Sequence, residues 1–430
     1  MTITIVGHGY VGLVTATIFA DLGNTVWVIG HTPSKIENLK KGIIPIYEPG
    51  LQDLVKKNVK AKRLLFTLDY DKAIPSSKIV FIAVGTPSKE NGDVDLSVVF
   101  KVASEIAKYL DDYTVVATKS TVPVGTNRKI KEMLNKIKPK KATFDVASVP
   151  EFLREGQAIS DTFSPDRVVI GTSSQKARDL LVDLHKKIKG ELVLTTIESA
   201  EMIKYASNAF LATKISFANS IAFISEKTGA DGLAVLKAVG LDKRIGSRFL
   251  SPGPGFGGSC FPKDVKGLIS IAKEKGYDFK LLKEVEDINK DAAKRVVDKA
   301  KNLLKGGVKG KTVGILGLSF KPDTDDMRDA PSVTIINALK KEGVLVKAYD
   351  PIAVENAKKL IEGIEFCDSP YDALKGCDLA IILTEWDEFK ELDFEKIKKL
   401  MKNPNILDTR NIYDPLKVKE LGFSYQGVGR

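Results

Sequence analysis

A cysteine at the predicted start of a helix is the residue of this chain whose surroundings most favour nucleophilic chemistry. Cys260 follows the glycine-rich stretch at residues 255–259 and precedes Lys263 by three positions. A helix N-terminus and a neighbouring cation both stabilise a thiolate. Asp264 lies four residues after the cysteine, where a carboxylate can act as a base or bind water if the turn is helical. The segment therefore predicts thiolate chemistry assisted by a carboxylate.

The scarcity of other reactive side chains narrows the chemistry. The chain contains only 3 Cys and 3 His. The cysteines are too few and too scattered for a disulfide framework or a structural zinc site, and Cys367 and Cys377 are interpreted as small buried hydrophobes. His8, His31 and His185 lie in separate predicted elements, so we expect neither a histidine-based triad nor a metal site.

A second polar pair, Lys204 and Asn208, lies on a long predicted helix. Apolar residues recur at helical spacing from 198 to about 228, without Gly or Pro. Side chains four residues apart share one face of a helix, so these two are neighbours. The pair can stabilise an oxyanion or merely face water, and the pattern leaves both interpretations open.

A glycine motif at the start of the chain predicts a dinucleotide site. The sequence GHGYVG follows a predicted strand and opens a predicted helix, which is the context that the dinucleotide fingerprint requires. The first glycine permits the turn, the second admits a pyrophosphate, and the third allows close packing. A glycine-rich turn without a ligand is the alternative. The predicted cofactor contacts in this motif are Gly7, Gly9, Tyr10, Val11 and Gly12.

The end of the second predicted strand departs from this fingerprint. An acidic residue usually binds the adenosine 2′-hydroxyl here, but Gly30 occupies the position, followed by His31, Thr32 and Lys35. Loss of the carboxylate removes a repulsion against a 2′-phosphate. The cofactor is expected to be NAD, and the absence of the acidic residue makes NADP a second hypothesis.

The elements that must position these groups alternate short apolar runs with helical patterns, which is typical of a parallel α/β fold. Three predicted strands end in polar residues, at Thr86, Thr121 and Glu151. The carboxyl ends of parallel strands line a ligand crevice, so we expect these side chains to cluster near the nicotinamide end of the cofactor. Each one taken singly is also consistent with a helix cap or a turn residue.

The chain restarts its α/β pattern after a Gly/Lys linker at residues 306–310. The predicted fold class is α/β, with two doubly wound Rossmann-like domains joined by a helical middle domain that contains the long central helix. We place the three domains at residues 1–197, 198–305 and 306–430. A single large sheet would require a helical insertion of roughly 100 residues and is disfavoured.

The chain has 66 Lys and Arg against 55 Asp and Glu, a formal charge of +11. This excess suits either a nucleic-acid surface or a pocket for polyanionic small molecules. No apolar run approaches the roughly 18 residues that a membrane helix needs. The first residues already form a predicted strand, so we expect no targeting segment and a cytoplasmic protein.

Motifs along essentially the whole chain resemble those of the nucleotide-sugar dehydrogenase superfamily, and within it the branch that acts on UDP-glucose. They occur in the order of the family: GHGYVG at 7–12, IYEPGL at 46–51, GTP at 85–87, KSTVPVG at 119–125, PEFLREG at 150–156, KYASNAF at 204–210, GGSCFPKD at 257–264 and FKPDTDD at 320–326.

The resemblance implies two successive hydride transfers that convert the C6 alcohol of UDP-glucose into the carboxylate of UDP-glucuronate, a precursor for polysaccharide biosynthesis. It implies catalytic roles for Cys260, Asp264, Thr121, Lys204, Asn208 and Glu151. The cysteine would capture the aldehyde as a thiohemiacetal and then a thioester. The aspartate and threonine would position water and move protons, the lysine and asparagine would hold the oxyanion, and the glutamate would assist thioester hydrolysis.

The resemblance also implies the binding residues. Cofactor contacts are expected, beyond the glycine motif, from Gly30, Lys35, Thr86, Thr121, Glu155, Lys263 and Arg328. Substrate contacts are expected from Glu151, Phe152, Leu153, Arg154, Glu155, Lys204, Asn208, Arg244, Phe249, Leu250, Ser251, Pro252, Gly253, Gly257 and Lys321. The arginine at 244 would reach the sugar site of a neighbouring subunit, since the helical middle domain forms the dimer in this family and the C-terminal domain binds UDP.

Other functions stay open at this point. Oxidation of UDP-N-acetylmannosamine or GDP-mannose is the enzymatic alternative, although Phe152-Leu153 and the segment at 261–263 resemble the glucose branch. An inactive Rossmann scaffold that binds nucleic acid is a more remote alternative. The combination of Cys260, Lys204 and Asp264 argues against that scaffold, because a binding module needs none of them.

Overall fold

The computed structural model describes every residue from Met1 to Arg430, and the chain forms two compact units. The first unit comprises residues 1–207 and 266–276, and the second comprises residues 208–265 and 277–430. Each unit contains one sheet of mainly parallel strands. The predicted α/β class, with two Rossmann-like sheets and a helical middle region, is therefore confirmed.

The first unit contains eight strands and all eight helices that precede the long central helix. Its strands are β1 Thr2–Val6, β2 Thr25–Ile29, β3 Leu64–Thr67, β4 Ile79–Ile82, β5 Tyr113–Thr118, β6 Thr143–Ser148, β7 Arg167–Gly171 and β8 Glu191–Thr195. Its helices are α1 Tyr10–Asp21, α2 Pro33–Lys40, α3 Leu51–Lys60, α4 Tyr70–Ala73, α5 Ser97–Lys108, α6 Thr126–Ile137, α7 Ala158–Phe163 and α8 Gln175–His185.

The remaining elements belong wholly or partly to the second unit. The helices that follow are α9 Ile197–Thr228, α10 Gly232–Leu241, α11 Phe261–Glu274, α12 Lys280–Leu303, α13 Pro331–Lys341, α14 Val354–Ala357, α15 Pro370–Leu374, α16 Asp387–Lys390, α17 Phe394–Leu400 and α18 Pro415–Glu420. The second sheet is built from β9 Thr312–Leu316, β10 Leu345–Tyr349, β11 Glu365–Phe366, β12 Leu379–Ile382, β13 Asn405–Asp408 and β14 Ser424–Gly427.

The strand order of the first sheet creates a crevice for a ligand. The order is β3-β2-β1-β4-β5-β6-β7-β8, and the direction of winding reverses between β1 and β4. In open sheets of this kind, ligands bind outside the carboxyl ends of the strands at the reversal. The second sheet has the order β11-β10-β9-β12-β13-β14, which reverses in the same way between β9 and β12.

Burial explains the composition of the central strands. All four residues of β4, the sequence IVFI, are buried, as expected where helices cover both faces of a parallel sheet. Core residues of α1, α3 and α8 pack in one cluster, and those of α5 and α6 pack in another. These two layers hold the carboxyl ends of the strands at one edge of the sheet.

The differences from the predicted elements lie where local sequence carries little information. The strands β3, β11 and β14 were not predicted; they lie at sheet edges and contain 4, 2 and 4 residues, too few for a periodic pattern. The helix α11 begins at Phe261, directly after Cys260. No helix combines the length and apolar character needed to cross a membrane. The division into three domains stays a prediction.

Candidate active site

The glycine motif forms the turn between β1 and α1. Gly7 adopts a φ of 126°, and its N–H donates to the carbonyl of Ile29 at 2.9 Å. A Cβ at Gly12 would lie 2.1 Å from the carbonyl oxygen of Gly7. Packing therefore requires the first and third glycines.

Gly9 differs from its two neighbours in the motif because it is exposed and a Cβ there would meet nothing within 4 Å. It is the N-cap residue of α1, and no side chain caps the first turn of that helix. Amide groups at such a helix end bind anions. The open space and the uncapped amides fit the pyrophosphate of a dinucleotide, with the half-buried Tyr10 and Val11 beside it.

Basic and polar groups surround the end of β2, where an acidic residue is usual. A Cβ at Gly30 would lie 3.0 Å from Nδ1 of His8, and the His8 and His31 rings are 4.9 Å apart. Burial, then the charges of His31 and Lys35, lower the pKa of His8. Thr32 is the N-cap residue of α2 but makes no side-chain capping bond.

Two of the three polar residues predicted at strand ends, Thr86 and Thr121, contact each other beyond β4 and β5. The hydroxyl of Thr86 is buried and donates to the carbonyl of Thr121 at 3.0 Å. The neighbouring Ser120 donates to the carbonyl of Val84 at 2.6 Å. These bonds hold the two loops together at the edge of the sheet where the crevice lies.

A buried ion pair lies beyond the end of β6. Oε1 of Glu151 is 3.1 Å from Nζ of Lys204, and the two side chains are 8% and 4% exposed. Oε2 of Glu151 accepts a hydrogen bond from the backbone N–H of Leu153 at 2.6 Å. The Phe152 ring lies 3.9 Å from the guanidinium carbon of Arg167 and 5.3 Å from the Lys204 ammonium. Because a buried carboxylate without a cation is costly, the pair fixes both side chains.

Lys119 is a buried charge that the sequence interpretation assigned to no role. Its ammonium donates to the carbonyl of Val149 at 3.3 Å. Burial lowers the pKa of Lys119 to about 8, Glu151 acts to raise it, and Lys204 acts to lower it further. The only sequence signal for this residue is its position directly before the polar strand end at 120–121.

In the second unit, Cys260 directly precedes α11 and is partly exposed, with its sulfur 3.5 Å from the Ser259 hydroxyl. Asp264 lies one helical turn later, where its N–H donates to the carbonyl of Cys260 at 2.9 Å. Its carboxylate is fully buried, accepts from the Asn208 amide at 2.6 Å and contacts the ammonium of Lys263. The predicted thiol and carboxylate thus lie on successive turns.

The other two cysteines differ from Cys260. Cys367 and Cys377 are buried in the core of the second sheet. Burial raises the pKa of Cys367 to about 11 and that of Cys377 to about 12. Both therefore remain protonated at neutral pH, which confirms their interpretation as structural side chains.

The loop at residues 249–258 is held rigidly within the second unit. Phe249 has a φ of 65°, which is uncommon for a bulky residue and is a feature of ligand-binding segments. The N–H of Gly253 donates to Oδ1 of Asn219 at 2.8 Å, and that of Gly258 donates to the carbonyl of Arg328 at 2.8 Å. A Cβ at Gly257 would lie 2.3 Å from the carbonyl oxygen of Asp329.

Within this loop, Leu250, Pro252 and Gly253 are buried, whereas Ser251 is exposed. Lys321, another predicted substrate contact, is half-buried. The ammonium of Lys321 lies 5.8 Å from the centre of the Phe320 ring.

Three predicted arginines have carboxylate partners of their own. The Arg328 guanidinium pairs with Asp326 at 2.7 Å. Arg154 pairs with Asp161 at 2.6 Å, and its backbone N–H donates to the same carboxylate at 2.9 Å. The Arg244 side chain pairs with Asp242 at 2.6 Å and is 90% exposed. Its exposure is compatible with the predicted contact to another subunit.

Two buried glutamates, Glu201 and Glu48, hold loops of the candidate site in place, and the sequence alone predicted no role for either. Glu201 on α9 accepts from the N–H groups of Gly125 and Asn127 at 2.7 and 2.9 Å, and so caps α6. Burial raises the pKa of Glu201. Glu48 accepts from the N–H of Gly156 at 2.6 Å, beside the ion-pair segment. The only sequence feature that marked either glutamate is the motif IYEPGL, which contains Glu48.

Three family models match successive parts of the chain. Residues 1–189 match the NAD binding domain of the UDP-glucose/GDP-mannose dehydrogenase family, residues 198–291 match its central domain, and residues 314–415 match its UDP binding domain.

Individual proteins are similar over the full length. A UDP-glucose 6-dehydrogenase of Bacillus subtilis (strain 168) is 48% identical, with 100% of this chain and 93% of the relative covered. The enzyme of the same name from Rhizobium meliloti (strain 1021) is 46% identical, with 100% of both covered. A solved UDP-glucose dehydrogenase of Pyrobaculum islandicum is 36% identical, has a TM-score of 0.92, and matches 100% of this chain and 97% of its own.

Proposed function

Because the chain belongs to the UDP-glucose/GDP-mannose dehydrogenase family, we propose that it oxidises the C6 alcohol of UDP-glucose to the carboxylate in two NAD-dependent steps. Relatives at 48% and 46% identity carry the name UDP-glucose 6-dehydrogenase. The observation that carries the mechanism is the placement of Cys260 one helical turn before the fully buried Asp264. The net reaction converts one alcohol, two NAD⁺ and one water into one carboxylate, two NADH and three protons.

The first oxidation requires an alkoxide at C6. A proton leaves the hydroxyl, and the resulting negative charge is stabilised by Lys204 and Asn208, which lie one turn apart on α9. When bound at the glycine motif, NAD⁺ accepts the hydride that leaves C6 in each oxidation. The ion pair with Glu151 keeps the Lys204 ammonium in place for this role.

The second oxidation requires a covalent adduct. The Cys260 thiolate adds to the aldehyde carbon, the C–S bond forms, and the carbonyl oxygen becomes the thiohemiacetal hydroxyl after protonation. Loss of the hydroxyl proton and of a hydride from the same carbon leaves a thioester. Water, deprotonated by a carboxylate, then attacks the thioester, the C–S bond breaks, and the thiolate is regenerated. We assign that water to Glu151, with Asp264 and Thr121 positioning water and protons.

The nucleotide sugar is expected to bind through the loop at 249–253, Gly257 and Lys321, and through the backbone of residues 152–155. The rigid hydrogen bonds of the loop support this assignment, because a preformed loop loses little conformational entropy on binding. Glu155, Lys263 and Arg328 are proposed as cofactor contacts.

The proposal is tested by following NADH formation with UDP-glucose, UDP-N-acetylmannosamine and GDP-mannose. We expect two NADH per UDP-glucose consumed and little turnover of the other sugars. Cys260→Ala should abolish carboxylate formation, whereas the control Cys367→Ala should retain it, because that thiol is buried in the core. Normal uronate yield from Cys260→Ala would contradict the mechanism. Turnover of no sugar together with nucleic-acid affinity at physiological salt would favour the binding scaffold, the less supported function.

We propose further that the end of β2 accepts the 2′-phosphate of NADP. The exposed His31 and Lys35 and the uncommitted cap position of Thr32 support this, since a phosphate monoester is bound by cations and helix amides. We expect Lys35→Ala to lower kcat/KM for NADP far more than for NAD. The exposed Lys41 offers a matched control, Lys41→Ala. A strong NAD preference that Lys35→Ala leaves unchanged would contradict the proposal.

We also propose a homodimer formed through α9. Phe210, Phe217 and Ile224 are 66%, 49% and 58% exposed and recur every seven residues, which is about two helical turns, so they form one apolar stripe. Phe217→Glu should yield monomers by light scattering. Leu416→Glu, at an isolated residue that is 70% exposed, should not. A monomeric wild-type chain at micromolar concentration would contradict this proposal.

A further inference from the structure

We propose that Glu48 is a positioning residue that couples the dinucleotide-binding turn of α1 to the substrate-binding segment at residues 150–157, so that a bound dinucleotide strengthens binding of the nucleotide sugar. The inference rests on the proposed function, because that function identifies the two ligands. Glu48 belongs to the motif IYEPGL at 46–51, which has no role in the glycine turn or in the thiol chemistry.

The Glu48 carboxylate lies at the meeting point of two chain segments that are distant in sequence. The residue is 5% exposed. Its Oε2 accepts from the hydroxyl of Tyr10 and from the N–H of Gly156, the latter at 2.6 Å. Its Oε1 accepts from the N–H groups of Ala158 and Ile159 at 2.7 and 3.4 Å. One side chain therefore binds both segments.

Each segment touches a different ligand site. Tyr10 is the first residue of α1 and follows Gly9, the one motif glycine with open space beside it. Gly156 ends the segment that carries Glu151 and begins the approach to α7. The N-cap residue of α7, Gln157, makes no side-chain capping bond. The Glu48 carboxylate, from a distant part of the chain, instead accepts the hydrogen bonds of the first N–H groups of α7, those of Ala158 and Ile159.

The partners of Glu48 are a hydroxyl and backbone amides, so the carboxylate is held by neutral donors alone. A buried anion held in this way is sensitive to the loss of any one donor. Burial, together with the hydrogen bond to Glu48, raises the pKa of Tyr10 far above its ordinary value, so the phenol stays a donor at every working pH. A dinucleotide that orders the first turn of α1 therefore also orders the Glu48 carboxylate, which accepts from the N–H groups of residues 156, 158 and 159.

Coupling between two binding sites is reciprocal and is measured as a ratio of dissociation constants. The experiment determines the Kd of UDP-glucose by calorimetry, with and without saturating NADH, which binds without allowing turnover. We expect NADH to tighten UDP-glucose binding by about 5-fold or more in the wild-type chain. Tyr10→Phe, which removes only the hydroxyl, should bring this ratio close to 1.

Two further variants complete the test. Glu48→Gln should also reduce the ratio, and the double variant with Tyr10→Phe should lose less than the two single losses combined, because both residues bind the Gly156 N–H in one network. Tyr47→Phe, at the half-buried neighbouring tyrosine, is the matched control and should keep the wild-type ratio. A general loss of packing would weaken both ligands without changing the ratio.

The outcomes separate this inference from the proposed function. A wild-type chain that oxidises UDP-glucose with NAD but shows a ratio of 1 overturns the coupling and leaves the function intact. A wild-type ratio retained in Tyr10→Phe has the same meaning. A wild-type chain that neither binds nor oxidises UDP-glucose refutes the function and this inference with it.

Discussion

Replacing Gly9 by Ala adds one methyl group at the point where a dinucleotide is expected to approach the N-terminus of α1. A Cβ there would meet no heavy atom within 4 Å, and the backbone φ of −76° suits any residue. The substitution should therefore change the free energy of unfolding by less than about 1 kcal/mol, because the loss of glycine flexibility in the unfolded chain offsets a weaker cap.

The same methyl group would occupy the space proposed for the pyrophosphate. Loss of one amide bond to a charged phosphate costs about 1.5–3 kcal/mol, which corresponds to about 10- to 150-fold in affinity. We expect the Kd of NADH, measured by fluorescence titration, and the KM of NAD to rise within this range. The melting temperature should stay almost constant.

Gly12→Ala is the matched comparison, since its Cβ would lie 2.1 Å from the carbonyl oxygen of Gly7. Backbone must move to relieve that contact, and overpacking of this kind typically costs about 1–3 kcal/mol. This variant should therefore lower the melting temperature by several degrees. Wild-type NADH affinity in Gly9→Ala, or an equal loss of stability in the two variants, would refute the assignment of the open space to the cofactor.

Three further predictions concern buried charges. Lys119→Met should raise the free energy of unfolding at pH 7 by up to about 3 kcal/mol, because Lys119 has a pKa of about 8 in the folded chain and keeps its proton to higher pH in the unfolded chain. The gain in stability should shrink from pH 8 upward. Urea titrations at pH 7 and 9.5 measure both effects. Burial lowers the pKa of His185 to about 4, so stability should fall as the pH drops from 6.5 towards 4, and His185→Leu should flatten that slope in urea titrations across this pH range. Glu201→Ala should cost about 3–5 kcal/mol by leaving buried donors unpaired, and Glu201→Gln clearly less, as thermal denaturation would show. An unchanged slope for either of the first two variants, or equal losses for the two Glu201 variants, would contradict these expectations.

Much of the fold can be predicted from the sequence, because helices and central strands are specified by patterns of apolar residues within short segments. The alternation of apolar runs and helical patterns predicts β1 and β2 with the bounds that the structure has, and the apolar repeat from residue 198 predicts α9. Short edge strands such as β3 and β11 lack that information, since pairing with a neighbour rather than their own sequence makes them strands.

The candidate site likewise has some features that follow from local sequence and others that depend on tertiary contacts. The residue types and spacing of GHGYVG and of the segment from Cys260 to Asp264 by themselves predict a pyrophosphate site and a reactive thiol, because a turn and a helix start are formed by neighbours in sequence. Only the tertiary structure decides that Lys119 is buried and that Glu48 binds residues 10 and 156–159. Burial and hydrogen bonding depend on which distant segments meet, and no local pattern around these two residues carries that information.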